Sequence, residues 1–457
     1  MGRGRDDTTW NFSVSLWDIT FITLGISFIS RETVVPVLVS QLTDSKLVIG
    51  LVPAMWSLGL YLPQLLTANL AESMPYKKPF VMVIGFFLER LPYLLIGLAV
   101  LFFAVERPVV ALIAVLTGIG LAASGAGLGT PPWLDMIAKV IPVRRRGIWL
   151  GLGHGLGQLM GVVGAYFVGR ILVSRAFPGN YALLFFIGFA FVVVSWVGLA
   201  LTREPVNEVT RKAAPLFRYL GRVSMVLRRD INYRRYLISK SLVNLGGMSA
   251  GFFAVFGTEM FSLDGRGVGL LTAVLVGTQA ILNPLCGLLA DRVGHKTVLA
   301  GAAFFVVLAP LSALVVGRGV SAEPVAGGEL LAYALGTVPI GLVVTFVFLG
   351  TFLAADHTSS LPIILEFSAP EDRPTYIGLT NTLLAPVLIG APILGGWLAG
   401  AAGYTAMFSI ALAVSTIALF LMVFWVDEPR RTTPQGLTAR GFQPYSDSDG
   451  AGNDGAQ

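Results

Sequence analysis

The chain has 457 residues, of which 55% are hydrophobic and 13% charged, and its mean hydropathy is +0.76. Soluble domains carry about a quarter of their residues as charges, so this composition excludes an ordinary water-soluble fold. The net charge of +6 is dispersed in short clusters between apolar runs, which argues against a nucleic-acid partner, and the single cysteine, Cys286, excludes an intramolecular disulfide.

Apolar runs of about 20 residues recur, each able to cross a hydrocarbon core of about 30 Å as a helix. They predict six spans at about residues 14–40, 47–70, 79–104, 108–135, 147–174 and 181–202. The first carries Arg31 and Glu32 and lacks a small-residue cleavage site, so it reads as a retained helix and not a signal peptide. A polar stretch follows at 203–235. Within it, "RRDINYRRYL" reads as an amphipathic surface helix at anionic headgroups. Six more spans are predicted at about 236–262, 268–290, 297–317, 333–362, 375–400 and 405–426. The segment from Leu330 to Pro370 is long for one crossing and is interrupted by Asp356, His357 and Pro362, which suggests a kinked helix with a cytoplasmic extension. The Gly-, Asp- and Ser-rich end reads as disordered. The predicted organisation is a cytoplasmic tail (1–13), a six-helix bundle (14–202), a basic cytoplasmic linker (203–235), a second six-helix bundle (236–426) and a disordered cytoplasmic tail (427–457).

Basic residues alternate in density along this scheme. With the N-terminus inside, the inner segments hold Arg3, Arg5, Lys77, Lys78, Lys139, Arg144 to Arg146, the basic linker, Arg292, Lys296 and Arg373. The outer loops hold only Lys46, Arg107, Arg175, Arg266 and Arg318. The positive-inside rule therefore predicts a multi-pass protein of the plasma membrane with both termini in the cytoplasm.

An internal repeat underlies the two bundles. "GLLADRVGHK" (287–296) follows the eighth span as G-x-x-x-D-R-x-G-x-K, and "ANLAESMPYK" (68–77) stands at the same place after the second, with Glu72 for Asp291 and Lys77 for Lys296. Gln64 and Asn283 occupy equivalent places, and "RGIWLGLGHGL" from Arg146 is echoed by "RPTYIGLTNTL" from Arg373. Twelve spans as six plus six, a basic central loop and this motif resemble the major facilitator superfamily over about residues 12 to 427. The first-half copy of the motif is degenerate.

Read locally, Gly287 lets helices approach, Gly294 permits a tight turn, Asp291 can face a helix N-terminus, and Arg292 and Lys296 hold the turn inside. The resemblance implies a latch between the halves, here against the start of the fifth span at Arg145 and Arg146, with Glu72 and Lys77 as the weaker counterpart. The bland alternative is a turn that only sets topology. The resemblance also implies that the first, fourth, seventh and tenth spans line a cavity. Arg31 and Glu32 are then candidates for substrate contact, against the alternative of a structural ion pair. Asp356 and His357 on the tenth span are candidates for proton coupling. Glu89 and Arg90 on the third, a peripheral span, read as structural, and Asp18 and Asp135 as solvated near the inner interface. His154 and Gln158 are four apart and share a helix face, as do Gln279 and Asn283, and Asn244 adds an amide. These are substrate contacts or interhelical hydrogen bonds. "GQLMGVVGA" (157–165) resembles the fifth-span motif of antiporters in the superfamily but has Val162 in place of proline. With "GAPILGGW" (390–397), it reads either as close packing or as a hinge that mildly favours export.

No P-loop, dinucleotide fingerprint or nucleophile elbow is present, and the three histidines and one cysteine are scattered, so neither enzyme, cofactor nor metal site is expected. The expectation is an all-α secondary transporter, monomeric in the lipid bilayer, exporting a small organic molecule in exchange for protons or another coupling ion. Uptake of a small organic anion and a non-transporting membrane sensor are the alternatives.

Overall fold

A computed structural model describes residues 3–206, 226–320, 338–368 and 373–429. Among them, eleven helices are long and apolar enough to cross a membrane. The last of these is two spans, because Gly403 at φ 81° and ψ 171° breaks the helix Arg373–Phe424. Twelve spans result, six on each side of residues 207–225. Most of the expected linker and the tail from residue 430 lie outside the described residues, as do residues 321–337. Among the described residues an even number of crossings puts Arg3 and Pro429 on one side, here called the terminal face.

In the first half the spans are Arg3–Phe28 continued by Val34–Leu42, Lys46–Ser73, Lys78–Phe103, Pro108–Val140, Val143–Ser174 and Gly179–Ala200. In the second they are Ile231–Phe261, Gly265–Val293, His295–Gly317, Ile340–Phe367 and the two parts of Arg373–Phe424. The first helix starts at Arg3, well before the expected position near 14. It is held there by Trp10, whose indole donates to the Leu201 carbonyl (2.9 Å), and by Asn11, whose amide donates to the Arg203 carbonyl (3.0 Å).

The stretch "RRDINYRRYL" is not a surface helix. Asp230 caps the seventh span by accepting from the Tyr233 amide, and Tyr233 and Tyr236 are fully buried against Phe367 and, for Tyr233, Tyr376. The tyrosines share one face of the helix and the arginines take the other, so the basic residues mark the end of a span. The tenth span runs unbroken from Ile340 to Phe367 through Asp356, His357 and Pro362. Two other spans are irregular. A π-helical turn, Gly85–Arg90, sits inside the third, and a 3₁₀ turn, Gly247–Phe252, inside the seventh.

The two halves are closed against each other at the face opposite the termini. A side chain at Gly50 on the second span would sit 2.3 Å from the Pro392 carbonyl on the eleventh, and one at Gly269 on the eighth would sit 2.6 Å from the Gly169 Cα on the fifth. Only glycine allows these approaches. Lys46 pairs with Glu259 across the halves, and the Tyr404 hydroxyl donates to the same carboxylate (3.1 Å). At the terminal face the fifth span stands clear, since side chains at Gly147, Gly151 or Gly155 would meet nothing within 4 Å.

Candidate functional site

The first span breaks where its charges lie. Ser30 to Thr33 are non-helical, and helix resumes at Val34. Arg31 and Glu32 therefore occupy a turn and not the middle of a helix, as the sequence suggested. Pro36 gives the physical reason. It has no N–H to donate to the residue 32 carbonyl, and its ring clashes with that carbonyl in a continuous helix. The turn is held locally. The Val35 amide donates to the Ser30 carbonyl (3.0 Å) and the Ser30 hydroxyl to Glu32 (3.4 Å). Arg31 Nε meets Glu32 Oε1 at 2.6 Å, and the guanidinium lies 4.9 Å over the Trp56 ring. The Arg31 side chain is 41% exposed, so its charge is only partly covered by Glu32 and Trp56.

Facing it from the second half is a pair that the sequence showed only in part. Asp356 is ion-paired with Lys240 of the seventh span, and Lys240 Nζ also donates to Ser360 Oγ (2.9 Å). The Lys240 side chain is 5% exposed and that of Asp356 23%. Lys240 lies in "YLISKSLVN", where a lone lysine near a span end reads as a topological charge. Its partner is 116 residues away, and no local pattern connects the two.

The halves meet between these pairs. The rings of His154 on the fifth span and His357 on the tenth are 5.9 Å apart, edge to face, and Thr23 Oγ1 lies 3.3 Å from His154 Nδ1. Asn283 donates to Gln158 (3.2 Å), so two residues singled out on separate spans are partners across the halves. The repeat has a counterpart, since Asn381 donates to Gln64 (3.3 Å) between the eleventh and second spans. Gln64 matches Asn283 in the repeat, while Asn381 matches His154, one turn before Gln158. Asn244, one turn beyond Lys240, and Gln279, one turn before Asn283, are half-buried on the same spans.

The motif at 287–296 is only partly as expected. Gly294 has φ 95° and ψ 151°, and a Cβ there would lie 2.4 Å from the Glu428 carboxyl. A Cβ on Gly287 would meet only Thr358 at 3.8 Å, an ordinary contact, so no close approach depends on Gly287. Lys296 Nζ donates to the Val423 carbonyl (2.8 Å), tying the turn to the twelfth span, and Asp291 and Arg292 are exposed. Arg145 is exposed, and Arg146 donates to the carbonyls of Ile141 (3.0 Å) and Ala138 (2.6 Å) in its own half. The degenerate first-half copy carries a denser network. Buried Lys77 pairs with Asp135 (3.0 Å), Lys139 pairs with Glu204 (2.9 Å), and the Lys77 and Lys78 amides donate to Glu204 (2.9 and 2.8 Å). The side chain of Glu72 lies outside the described residues.

Asp18, expected to be solvated, is 4% exposed. It accepts from Ser195 Oγ (2.5 Å) and lies 3.8 Å from Arg90. The glycine-rich stretches pack closely. Gly157 lies against Thr20 and Thr23 of the first span, and Gly395 and Gly396 against Met248 and Lys46.

A helical bundle in two repeated halves, closed at one face and carrying charge from both halves at its centre, is the architecture of a multi-pass membrane protein. Residues 236–447 match the model of the Major Facilitator Superfamily. That match covers the second half, and the whole chain shares its fold with solved membrane transporters. A crystal structure of the nucleoside transporter NupG is similar with TM-score 0.60 at 13% identity, covering 90% of this chain and 98% of that one. A POT family transporter in complex with 5-aminolevulinic acid is similar with TM-score 0.68 at 10% identity, covering 92% and 96%. No curated protein matches the chain.

Proposed function

We propose that the protein carries a small polar organic molecule by alternating access, as a proton-coupled exporter of the plasma membrane with its terminal face in the cytoplasm. The site is the space between Arg31–Glu32 of the first half and Lys240–Asp356 of the second, with His154 and His357 between them. The observation that carries this reading is the contact of His154 and His357 across the halves, with an ion pair in each half, Arg31–Glu32 and Lys240–Asp356. A solute bound there touches both halves, so its binding energy can differ between the two closed states. Asp356 is the coupling group. Protonating it releases Lys240, and the Lys240 ammonium then needs a new partner. The solved neighbours are named for a nucleoside and for 5-aminolevulinic acid, solutes of the same small polar kind. In this reading the conformation is inward-facing. Asp291 supports the opposite state, in which the start of the fifth span closes against the eighth. The exposed Arg31 guanidinium favours a second reading, uptake of an organic anion.

Proteoliposomes with an imposed pH gradient separate these readings. Candidate solutes should leave the cytoplasmic-side compartment against their gradient when the opposite compartment is acidic. Asp356→Asn should abolish that flux and leave solute exchange intact. Unchanged gradient-driven flux in Asp356→Asn would remove Asp356 from the mechanism, and solute flux in the reverse direction would replace export by uptake.

A further inference from the structure

Away from the central site, the terminal face of the first half carries a cavity of ≈ 440 Å³, whose lining includes Trp10, Tyr76, Lys78, Pro79, Leu201 and Arg203. The first, third and sixth spans reach that face here, so the cavity sits at the depth of lipid headgroups. Trp10 and Tyr76 are exposed, as aromatic side chains are at a membrane–water boundary. The Arg203 guanidinium lies 5.0 Å over the Trp10 ring. Asn11 and the Arg203 backbone exchange two hydrogen bonds (3.0 and 2.8 Å), which fix this wall of the cavity to the start of the first span.

The charges around the cavity leave one cation over. Lys77 pairs with Asp135 (3.0 Å), Lys139 with Glu204 (2.9 Å) and Arg203 with Asp7 (2.6 Å). Glu204 also accepts from the Lys77 and Lys78 amides (2.9 and 2.8 Å), so it is occupied. The half-buried Lys78 donates from Nζ to the Thr202 carbonyl (2.8 Å). Among the described residues its ammonium pairs with no carboxylate, and an ammonium has three donors. The Arg203–Asp7 pair is exposed on both sides and is worth little by itself, so Arg203 can turn its remaining donors to a second anion.

Toward the membrane the surface becomes apolar. Pro79 and Val83 are one turn apart on the third span, as are Leu201 and Val197 on the sixth, so each pair shares a helix face. Val83, Val197 and Leu201 are exposed. The two spans touch at this depth, where the Trp196 indole donates to the Met82 carbonyl (3.1 Å). Cations above and an apolar strip below fit an amphiphile better than a free ion.

We propose that this cavity binds the headgroup of one anionic phospholipid, with its phosphate held by Lys78 and Arg203 and its acyl chains lying along Val83 and Val197. Basic pockets between spans hold anionic lipids in this way. The lipid supplies the anion that Lys78 lacks and ties together the ends of the first, third and sixth spans. The inference requires only that the chain spans a membrane, and neither the direction nor the coupling of transport enters it.

Native mass spectrometry of the full-length protein counts bound lipids and tests this without substrate or flux. Dioleoylphosphatidylglycerol titrated into the detergent-purified protein should bind first at one site, in preference to dioleoylphosphatidylcholine, whose choline offsets the phosphate charge. Lys78→Gln and Arg203→Gln should each weaken that first step by about fivefold. Arg203→Gln alters an exposed side chain, so it carries the test if Lys78→Gln fails to fold. Arg235→Gln removes a comparable cation from the second half, one lying 5.8 Å over the Trp425 ring, and should leave the first step unchanged. Glycerophosphoglycerol, the same headgroup without chains, should not displace the lipid at matched concentration. Equal binding of the two lipids, unchanged affinity in the cavity variants, or an equal loss in Arg235→Gln would overturn the proposal. Displacement by glycerophosphoglycerol would also overturn it, making the cavity a site for a soluble phosphate.

Discussion

Lys240 and Asp356 show how unequally a buried pair is written into a sequence. Asp356 is conspicuous as an acid inside an apolar run, whereas Lys240 sits close enough to a span end to pass as a topological charge. Asp18 differs from its sequence expectation for the same reason. Its distance from the chain end suggested water, but Arg90 and Ser195 reach it from two other spans. Depth along a helix is legible from one chain, and the identity of the facing residue is not. The pair also yields a stability test. Removing one member of a buried ion pair strands the other, at a cost of about 3–5 kcal/mol. Asp356 is 23% exposed, so Asp356→Asn should fall at about the lower figure. Adding Lys240→Met should restore most of the loss, because no unpaired charge remains. Thermal unfolding in detergent would read this as a drop in Tm for the single variant and recovery in the double. A double variant as unstable as the single would mean that the pair does not govern folding at this site.

At the scale of elements, the count and order of the spans were legible because each needs a long apolar run. The interruptions inside them were not. The break in the first span has a sequence signal, Pro36, which is less conspicuous than Arg31 and Glu32. The π-turn in the third span has no comparable marker. The motif at 287–296 shows the reverse error, since its two glycines read as equally necessary. Gly294 adopts φ 95° and ψ 151°, a region that residues with a Cβ enter at a cost of order 1–3 kcal/mol. Gly294→Ala should therefore lower stability by about that amount. Gly287→Ala should stay within about 0.5 kcal/mol, since its added methyl meets only Thr358. Equal losses in the two variants would contradict the packing described for this turn.

For the molecule as a whole, the repeat foretold two halves but not which face is closed, because one sequence encodes both states. In this structure the contact of Lys46, Glu259 and Tyr404 holds the face opposite the termini. Asp291 is proposed to hold the terminal face in the alternate state. The Glu259 side chain is 36% exposed, and exposed pairs contribute about 0.2–1 kcal/mol. A carboxylate at a helix N-terminus contributes about 0.3–1 kcal/mol. Each is enough to shift a two-state ratio by about 1.4- to fivefold. Glu259→Gln should populate the state open at the far face, and Asp291→Asn the state seen here.

The most direct measurement is of paired spin-label distances at both faces of one molecule, in a Cys286→Ser background that removes the single native thiol. Labels at Leu152 and Leu289 report the terminal face, and labels at Val173 and Met260 the opposite face; all four side chains are exposed. Alternating access predicts anticorrelated changes. Glu259→Gln should shorten the Leu152–Leu289 distance and lengthen the Val173–Met260 distance, and Asp291→Asn should do the opposite. Distances that stay fixed in both variants, or that change in the same direction at both faces, would contradict the account.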